Sequence, residues 1–143
     1  YFIGMYVEEI YGHWQMLIIY LTSILTGNLV SMLFQPLQNI SAGASTGLFG
    51  LFGAFIMLGI VNRNNPLIRQ MAKQFLILVV FNIGADLIMP GVDLAGHLGG
   101  LIGGFLCSGM CGSTKISRIS LLKRFLSGTI LIVLIVIMLW RAL

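Results

Sequence analysis

The chain has 143 residues, of which 58% are hydrophobic and only 8% are charged. Its mean hydropathy of +1.02 lies far above that of soluble domains, which excludes a water-soluble globular fold. The net charge of +4 is expected to reflect membrane orientation and contact with anionic lipid headgroups. We expect no nucleic-acid partner.

Five apolar segments, in chain order, predict helices that span a membrane. Each approaches the roughly 20 mostly apolar residues that a spanning helix needs, and turn-forming residues separate them. None shows the short apolar–polar alternation of a membrane barrel. The predicted fold is an all-α membrane bundle, and residues 1–11 are interpreted as the end of an earlier helix with its exit loop. The five predicted spans are residues 14–34, 45–61, 71–89, 96–112 and 125–143.

Basic residues cluster around two of the connections between these spans, the second-to-third and the fourth-to-fifth. Positively charged connections stay preferentially on the cytoplasmic side, so the other two connections are expected to face outward. Ser45 and His97 each begin a span that enters from this outer face, and the two side chains should lie at similar depth. The basic residues are Arg63, Arg69, Lys73, Lys115, Arg118, Lys123 and Arg124.

Small residues recur every three or four positions after both of these helix starts. In lipid, such stripes allow two helix backbones to approach closely. We therefore expect the second and fourth spans to pack against each other, and a role in packing alone is the alternative interpretation. The stripes are Gly43, Gly47, Gly50 and Ala54 in the second span, and Gly96, Gly100 and Gly104 in the fourth.

Ser45 and His97 are the residue types of a nucleophile and its general base. A serine hydroxyl attacks when a base takes its proton, and a neutral imidazole is the usual partner. The helix start at His97 disfavours the imidazolium form, and the one at Ser45 presents unpaired backbone N–H groups to an oxyanion. Phe49, one turn after Ser45, either packs against the imidazole ring or is an ordinary core or lipid-facing aromatic residue.

Together these motifs resemble the rhomboid intramembrane serine proteases. The resemblance extends from about residue 4 to residue 104, and the joint spacing of its two main motifs makes it specific. It matches the family's Gly-x-Ser-x motif to Gly43-Ala44-Ser45-Thr46, its histidine followed by glycines to His97, Gly100 and Gly104, and its upstream helix entry to Gly4, Glu8 and Gly12.

The resemblance implies a catalytic dyad in which Ser45 attacks a peptide carbonyl and His97 carries the proton to the leaving amine. Gly43, Phe49, Gly100 and Gly104 are the implied supporting residues. The implied partners are transmembrane client proteins, cleaved within or beside their membrane segments, and the third span is an implied lateral gate. No cofactor or metal is expected. The expected location is a bacterial cell membrane, with the dyad near the extracytoplasmic face.

Two departures from the family pattern bear on activity. Thr46 stands where most members have glycine, which is expected to crowd the oxyanion region. Members also have two further helices before the matched region, and the second supplies His and Asn side chains to the oxyanion site. Losing one such donor costs roughly 100- to 1000-fold in rate. We therefore interpret residues 1–143 as part of a single rhomboid-like transmembrane domain that is inactive by itself. A catalytically inactive module that binds client helices is the alternative function.

Two carboxylates near the outer face each have two possible interpretations. Asp93, four residues before His97, is a candidate third member of the catalytic group, but its preferred interpretation is the N-cap of the His97 helix. Asp86 is an intramembrane carboxylate and therefore a functional candidate, with a role in packing or in a water network equally open. Cys107 and Cys111 are interpreted as small packing residues, since they are too few for a zinc site.

Overall fold

The computed structural model describes residues 2–34, 44–89, 91–113 and 119–142, and the regular secondary structure in these ranges is helical. The chain is an all-α membrane bundle, as predicted. Its helices are α1 (Phe2–Tyr11), α2 (His13–Phe34), α3 (Ser45–Val61), α4 (Pro66–Ile88), α5 (Leu94–Cys111) and α6 (Leu121–Ala142).

Four of the helices in the described ranges, α2, α4, α5 and α6, are long and apolar enough to cross a membrane. The second predicted span, α3, is also apolar but has only 17 residues, at the short end of the range for spanning helices. The predicted spans thus correspond to α2 through α6.

The starts of α4 and α6 differ most from the predicted ones, and local capping accounts for that of α4. Helix α4 begins at Pro66 rather than at residue 71: the Asn65 side chain accepts hydrogen bonds from the backbone N–H groups of Leu67 (3.1 Å) and Ile68 (3.3 Å). A proline at the first helical position needs no N–H partner, so this start is favourable despite its polar flank. Helix α6 begins at Leu121 rather than at residue 125.

The short helix α1 precedes the first span and packs against the bundle. It ends at Tyr11, where Gly12 adopts a φ of 97°, in the left-handed region that favours glycine. The Tyr11 hydroxyl donates a hydrogen bond to the Ala54 carbonyl oxygen of α3 (2.9 Å). Residues 1–11, interpreted as the end of a helix and a loop, are thus helical from Phe2 to Tyr11.

The closest helix contact joins α3 and α5, and it depends on glycine. A Cβ atom on Gly104 would collide with the Gly50 backbone, and one on Gly100 would collide with the Thr46 carbonyl oxygen. A Cβ on Gly53 would likewise meet the Leu101 carbonyl oxygen. These pairs advance along both helices in the same direction, so α3 and α5 are parallel and begin at the same end of the bundle, which we call the serine end.

Helix α2 runs in the opposite direction against both of them. Gly27, late in α2, lies beside Gly96 at the serine end, whereas Thr22 lies nearer Cys107. The Thr26 hydroxyl donates to the Gly99 carbonyl oxygen (3.1 Å), which adds a polar tie between α2 and α5. Helix α2 therefore completes a three-helix centre that carries most of the buried glycines.

Helices α4 and α6 flank this centre and present most of their side chains outward. In α4 only Ile68 and Val79 are buried. Helix α4 is held to α3 mainly by Phe75, whose ring stacks on Phe55 with centroids 4.0 Å apart and tilts against Phe52 at 5.9 Å. The centre is therefore closely packed, and α4 is a more loosely attached neighbour.

Replacing Gly104 with alanine should destabilise the bundle. The new Cβ would meet the Gly50 backbone, which cannot rotate away as a side chain would, and overpacking of this kind costs about 1–3 kcal/mol. Thermal unfolding in detergent measures the loss. Gly84→Ala is the control, because a Cβ there has no neighbour within 4 Å. Equal melting temperatures for the two variants would contradict the close contact.

Candidate active site

Ser45 is the first residue of α3 and is exposed at the serine end. The first backbone hydrogen bond of this helix start runs from the Leu48 N–H to the Ala44 carbonyl oxygen (3.1 Å). Ser45 therefore lies at a helix start, where the helix end favours negative charge. Gly43, the predicted supporting residue before it, lies outside the described residues.

His97 lies in the first turn of α5, with 8% of its surface exposed. Its imidazole ring stacks on Phe49 of α3, with ring centroids 4.2 Å apart and planes 11° from parallel. Phe49 is itself buried and meets Phe52 edge to face at 5.8 Å. Of the two interpretations left open for Phe49, the contact with the imidazole is the one present, and it fixes the plane of the histidine ring.

The two candidate residues of the dyad are brought to the same end of the bundle. Thr46, next to Ser45, lies beside Gly96, next to His97, and Phe49, one turn beyond Ser45, carries the His97 ring. In the described part of the chain no hydrogen bond joins Ser45 to His97. Catalytic hydrogen bonds are often long or misaligned without substrate, so this geometry is compatible with a dyad.

Thr46 points into the contact between α2, α3 and α5 and is 2% exposed. A Cβ on Gly27 would lie 2.9 Å from the Thr46 Cβ, and one on Gly96 would lie 3.2 Å from its Cγ2. The absence of side chains at Gly27 and Gly96 therefore leaves space for the Thr46 side chain. Thr46 packs against α2 and α5 at the contact between the three helices.

Asp86 is the nearest polar partner of the histidine. Its Oδ2 lies 2.6 Å from His97 Nδ1, and both side chains are 10% exposed. The sequence marked Asp86 as an unusual carboxylate but did not assign it a partner. A signal was present: Asp86 lies in the last turn of α4 and His97 in the first turn of α5. Two residues on either side of a short helix connection lie at similar depth.

Asp93 is the N-cap of α5, as its preferred interpretation predicted. Its Oδ1 accepts a hydrogen bond from the Gly96 N–H (2.8 Å). Oδ2 is buried and has no hydrogen-bond partner among the described residues. The Asp93 carboxylate is therefore hydrogen-bonded to the backbone of α5, whereas the His97 imidazole is hydrogen-bonded to Asp86.

His13, Cys107 and Cys111 lie away from this site. His13 pairs with Glu8 (2.8 Å) at the start of α2, the end of the bundle opposite Ser45. The Cys107 thiol lies 3.6 Å from the Thr22 hydroxyl oxygen, and Cys107 and Cys111 are both free thiols. Within the described ranges, no group of three His, Cys, Asp or Glu residues is arranged to hold a metal ion.

Comparison with known proteins identifies the family. A family model described as the Rhomboid domain matches residues 1–114, which is most of the chain. The chain belongs to the rhomboid family. The matched region contains all five helices from α1 to α5, and with them Ser45, Phe49, Asp86 and His97. This rhomboid chain is therefore an integral, multi-pass membrane protein, as its composition predicted.

Its curated relatives include proteases and rhomboid-like proteins. Rhomboid protease GluP of Bacillus subtilis is 36% identical over 134 residues, which are 94% of this chain and 25% of that protein. Putative rhomboid protease YdcA of the same organism is 31% identical, over 78% of this chain and 56% of its own length. RHOMBOID-like protein 7 of Arabidopsis thaliana is 37% identical, over 73% of this chain and 33% of its own length. No solved structure matches the chain.

Removing the Asp93 cap should destabilise the start of α5. Asp93→Ala leaves the Gly96 N–H without its acceptor, and loss of an N-cap costs about 1 kcal/mol. Asp93→Asn is the matched variant, since its amide oxygen can still accept from Gly96. Hydrogen exchange at the Gly96 amide and thermal unfolding should show the loss in the alanine variant only. Equal losses in both variants would show that the carboxylate acts by its charge instead.

Proposed function

We propose that this chain carries the catalytic dyad of an intramembrane serine endopeptidase, with Ser45 as nucleophile and His97 as general base. The observation that carries the proposal is the stacking of the His97 ring on Phe49, one helical turn from Ser45 (centroids 4.2 Å apart). Membership of the rhomboid family and the similarity to rhomboid protease GluP support the same reaction class.

The two residues divide the chemistry of peptide cleavage between them. His97 takes the proton from the Ser45 hydroxyl as its oxygen attacks the scissile carbonyl, which gives a tetrahedral intermediate with an oxyanion. The imidazolium then gives this proton to the leaving amine, and an acyl-enzyme remains. Water, activated by the same imidazole, attacks the acyl group and releases Ser45. The start of α3, where a helix end favours negative charge, lies beside the oxyanion in this scheme.

The proposed clients are other membrane proteins, cleaved within or beside a transmembrane segment. A site set in a bundle this apolar meets its substrates within the bilayer, where backbone polar groups are paired inside helices. A client helix must unwind locally before Ser45 reaches its carbonyl, and residues with low helix propensity reduce that cost. We propose that Gly100 and Gly104 support the site by holding α5 against α3.

The proposed topology places the serine end at the extracytoplasmic face of a bacterial cell membrane. Arg63 and Arg69 lie at the opposite end, beside the connection between α3 and α4, and Lys123 and Arg124 lie there at the start of α6. This distribution follows the positive-inside rule. The shared orientation of α3 and α5 supports the proposal, since it places Ser45 and His97 together at the less basic end.

A second candidate function is a non-catalytic rhomboid-like module that binds client helices. The absence of a hydrogen bond between Ser45 and His97, both of which are described, favours it for the chain as it stands. So does Thr46, which departs from the glycine expected in active members of the family. A binding module requires neither a nucleophile nor a base. Substitution of Ser45 or His97 therefore distinguishes the two proposals.

Labelling with a fluorophosphonate probe tests the protease proposal. This reagent reacts with activated serines, and it is applied to a form that also carries the upstream helices expected from the family resemblance. Ser45→Ala should abolish labelling. His97→Ala should slow it by about 100-fold or more, since a general base contributes roughly 10²–10⁴ in rate.

Matched controls separate activation from simple exposure. Ser127→Ala removes a serine of α6, and His13→Ala removes a histidine at the end opposite Ser45, so neither should change the labelling rate. Loss of labelling in the Ser45 and His97 variants, with unchanged rates in these two, would support the dyad. A folded longer form that does not label would contradict the protease proposal and favour the client-binding module.

A further inference from the structure

A buried carboxylate, that of Asp86, contacts the proposed catalytic base. Asp86 Oδ2 and His97 Nδ1 are 2.6 Å apart, and each side chain is only 10% exposed. Polar groups buried to this extent are strong partners because few water molecules compete for them. Among the described residues this is the only side-chain hydrogen bond between α4 and α5.

The hydrogen bond between the two side chains has one donor and one acceptor. When Asp86 is ionised its carboxylate only accepts, so Nδ1 of His97 carries the hydrogen. In a neutral imidazole with its proton on Nδ1, the other nitrogen has a free lone pair. Nε2 can then accept a proton from a serine hydroxyl. The tautomer with its hydrogen on Nδ1 is therefore the one that a general base requires.

Two contacts together hold the ring. Phe49 stacks on its face and restricts tilting, while Asp86 bonds Nδ1 and restricts rotation about the Cβ–Cγ bond. Asp93 does not compete for this role, since its Oδ1 is bonded to the Gly96 N–H. The imidazole is thus oriented by one residue from α3 and one from α4.

We propose that Asp86 is a positioning residue, which holds the proton of His97 on Nδ1 and so keeps Nε2 available as the base for Ser45. This inference rests on the proposed serine protease function and adds a third residue to it. Asp86 touches His97 and acts on the reaction only through it.

Two variants of Asp86 distinguish the effect of its hydrogen-bond acceptor from the effect of its negative charge. Asp86→Leu has a side chain of similar size with no acceptor, so nothing holds the proton on Nδ1. Asp86→Asn keeps an oxygen that can accept from Nδ1 but carries no charge. Asn82→Leu is the matched control on the same helix, because the Asn82 amide donates to the Leu78 carbonyl oxygen of α4 (2.7 Å). All variants are made in the form that carries the upstream helices.

The first readout is the tautomer of His97, measured by ¹⁵N NMR of histidine-labelled protein. The His97 signals are assigned as those lost in His97→Gln. We expect a protonated Nδ1 in the parent form and in Asn82→Leu. In Asp86→Leu the Nδ1 signal should move toward that of an unprotonated ring nitrogen, with Asp86→Asn between the two. This measurement does not depend on activity.

The second readout is the rate of fluorophosphonate labelling at several probe concentrations. A lost positioning residue lowers the maximal rate of inactivation without weakening probe binding. We expect Asp86→Leu to reduce the maximal rate by about 10- to 100-fold, below the roughly 10²–10⁴ that a general base supplies. Asp86→Asn should recover part of this loss, and Asn82→Leu should match the parent.

The outcomes separate this inference from the protease proposal. A parent that labels, with both the tautomer and the maximal rate changed by Asp86→Leu, supports the inference. A parent that labels while both Asp86 variants keep its tautomer and its rate overturns the inference and leaves the protease proposal intact. A folded parent that does not label overturns both. If Asp86→Leu does not fold, Asp86→Asn decides by the same two readouts.

Discussion

The close approach of α3 and α5 is the constraint on which the rest of the bundle depends. Gly50 and Gly104 leave no room for a Cβ atom between the two backbones, and in lipid such contacts replace the hydrophobic force that packs soluble cores. Because the two helices are parallel, the contact that stabilises them also brings their first turns together. The same glycines therefore both pack the two helices together and bring Ser45 and His97 to the same end of the bundle.

The serine end combines groups from three helices, each with a distinct task. Helix α3 supplies Ser45 and the Phe49 ring; helix α5 supplies His97; and helix α4 supplies Asp86. The imidazole is held more firmly than the serine, since its ring is stacked and hydrogen-bonded while Ser45 is exposed. Such an arrangement suits the proposed general base, which keeps one orientation while the proposed clients approach Ser45.

The helices, their order and the facing glycine stripes could be predicted from the sequence because they follow from apolar segment length and small-residue spacing. The Phe49 contact was one of two open interpretations, since a one-turn spacing from Ser45 fits a stack on His97 as well as an ordinary core position. The start of α4 at Pro66 was missed, because polar flanking residues hid the Asn65 cap. The partner of Asp86 was missed for another reason: hydrogen bonding across a helix connection depends on how α4 rotates about its axis, and its weak burial pattern leaves that rotation undetermined.

An experimental structure of the fluorophosphonate-treated longer form in a lipid nanodisc tests the central claim most directly. We predict a covalent bond from the phosphorus to Ser45 Oγ, with the phosphoryl oxygen facing the first-turn N–H groups of α3. His97 should remain stacked on Phe49, with Nε2 toward the adduct and Nδ1 toward Asp86. An adduct on another residue, or a Ser45 adduct with the His97 ring turned away from it, would contradict the account.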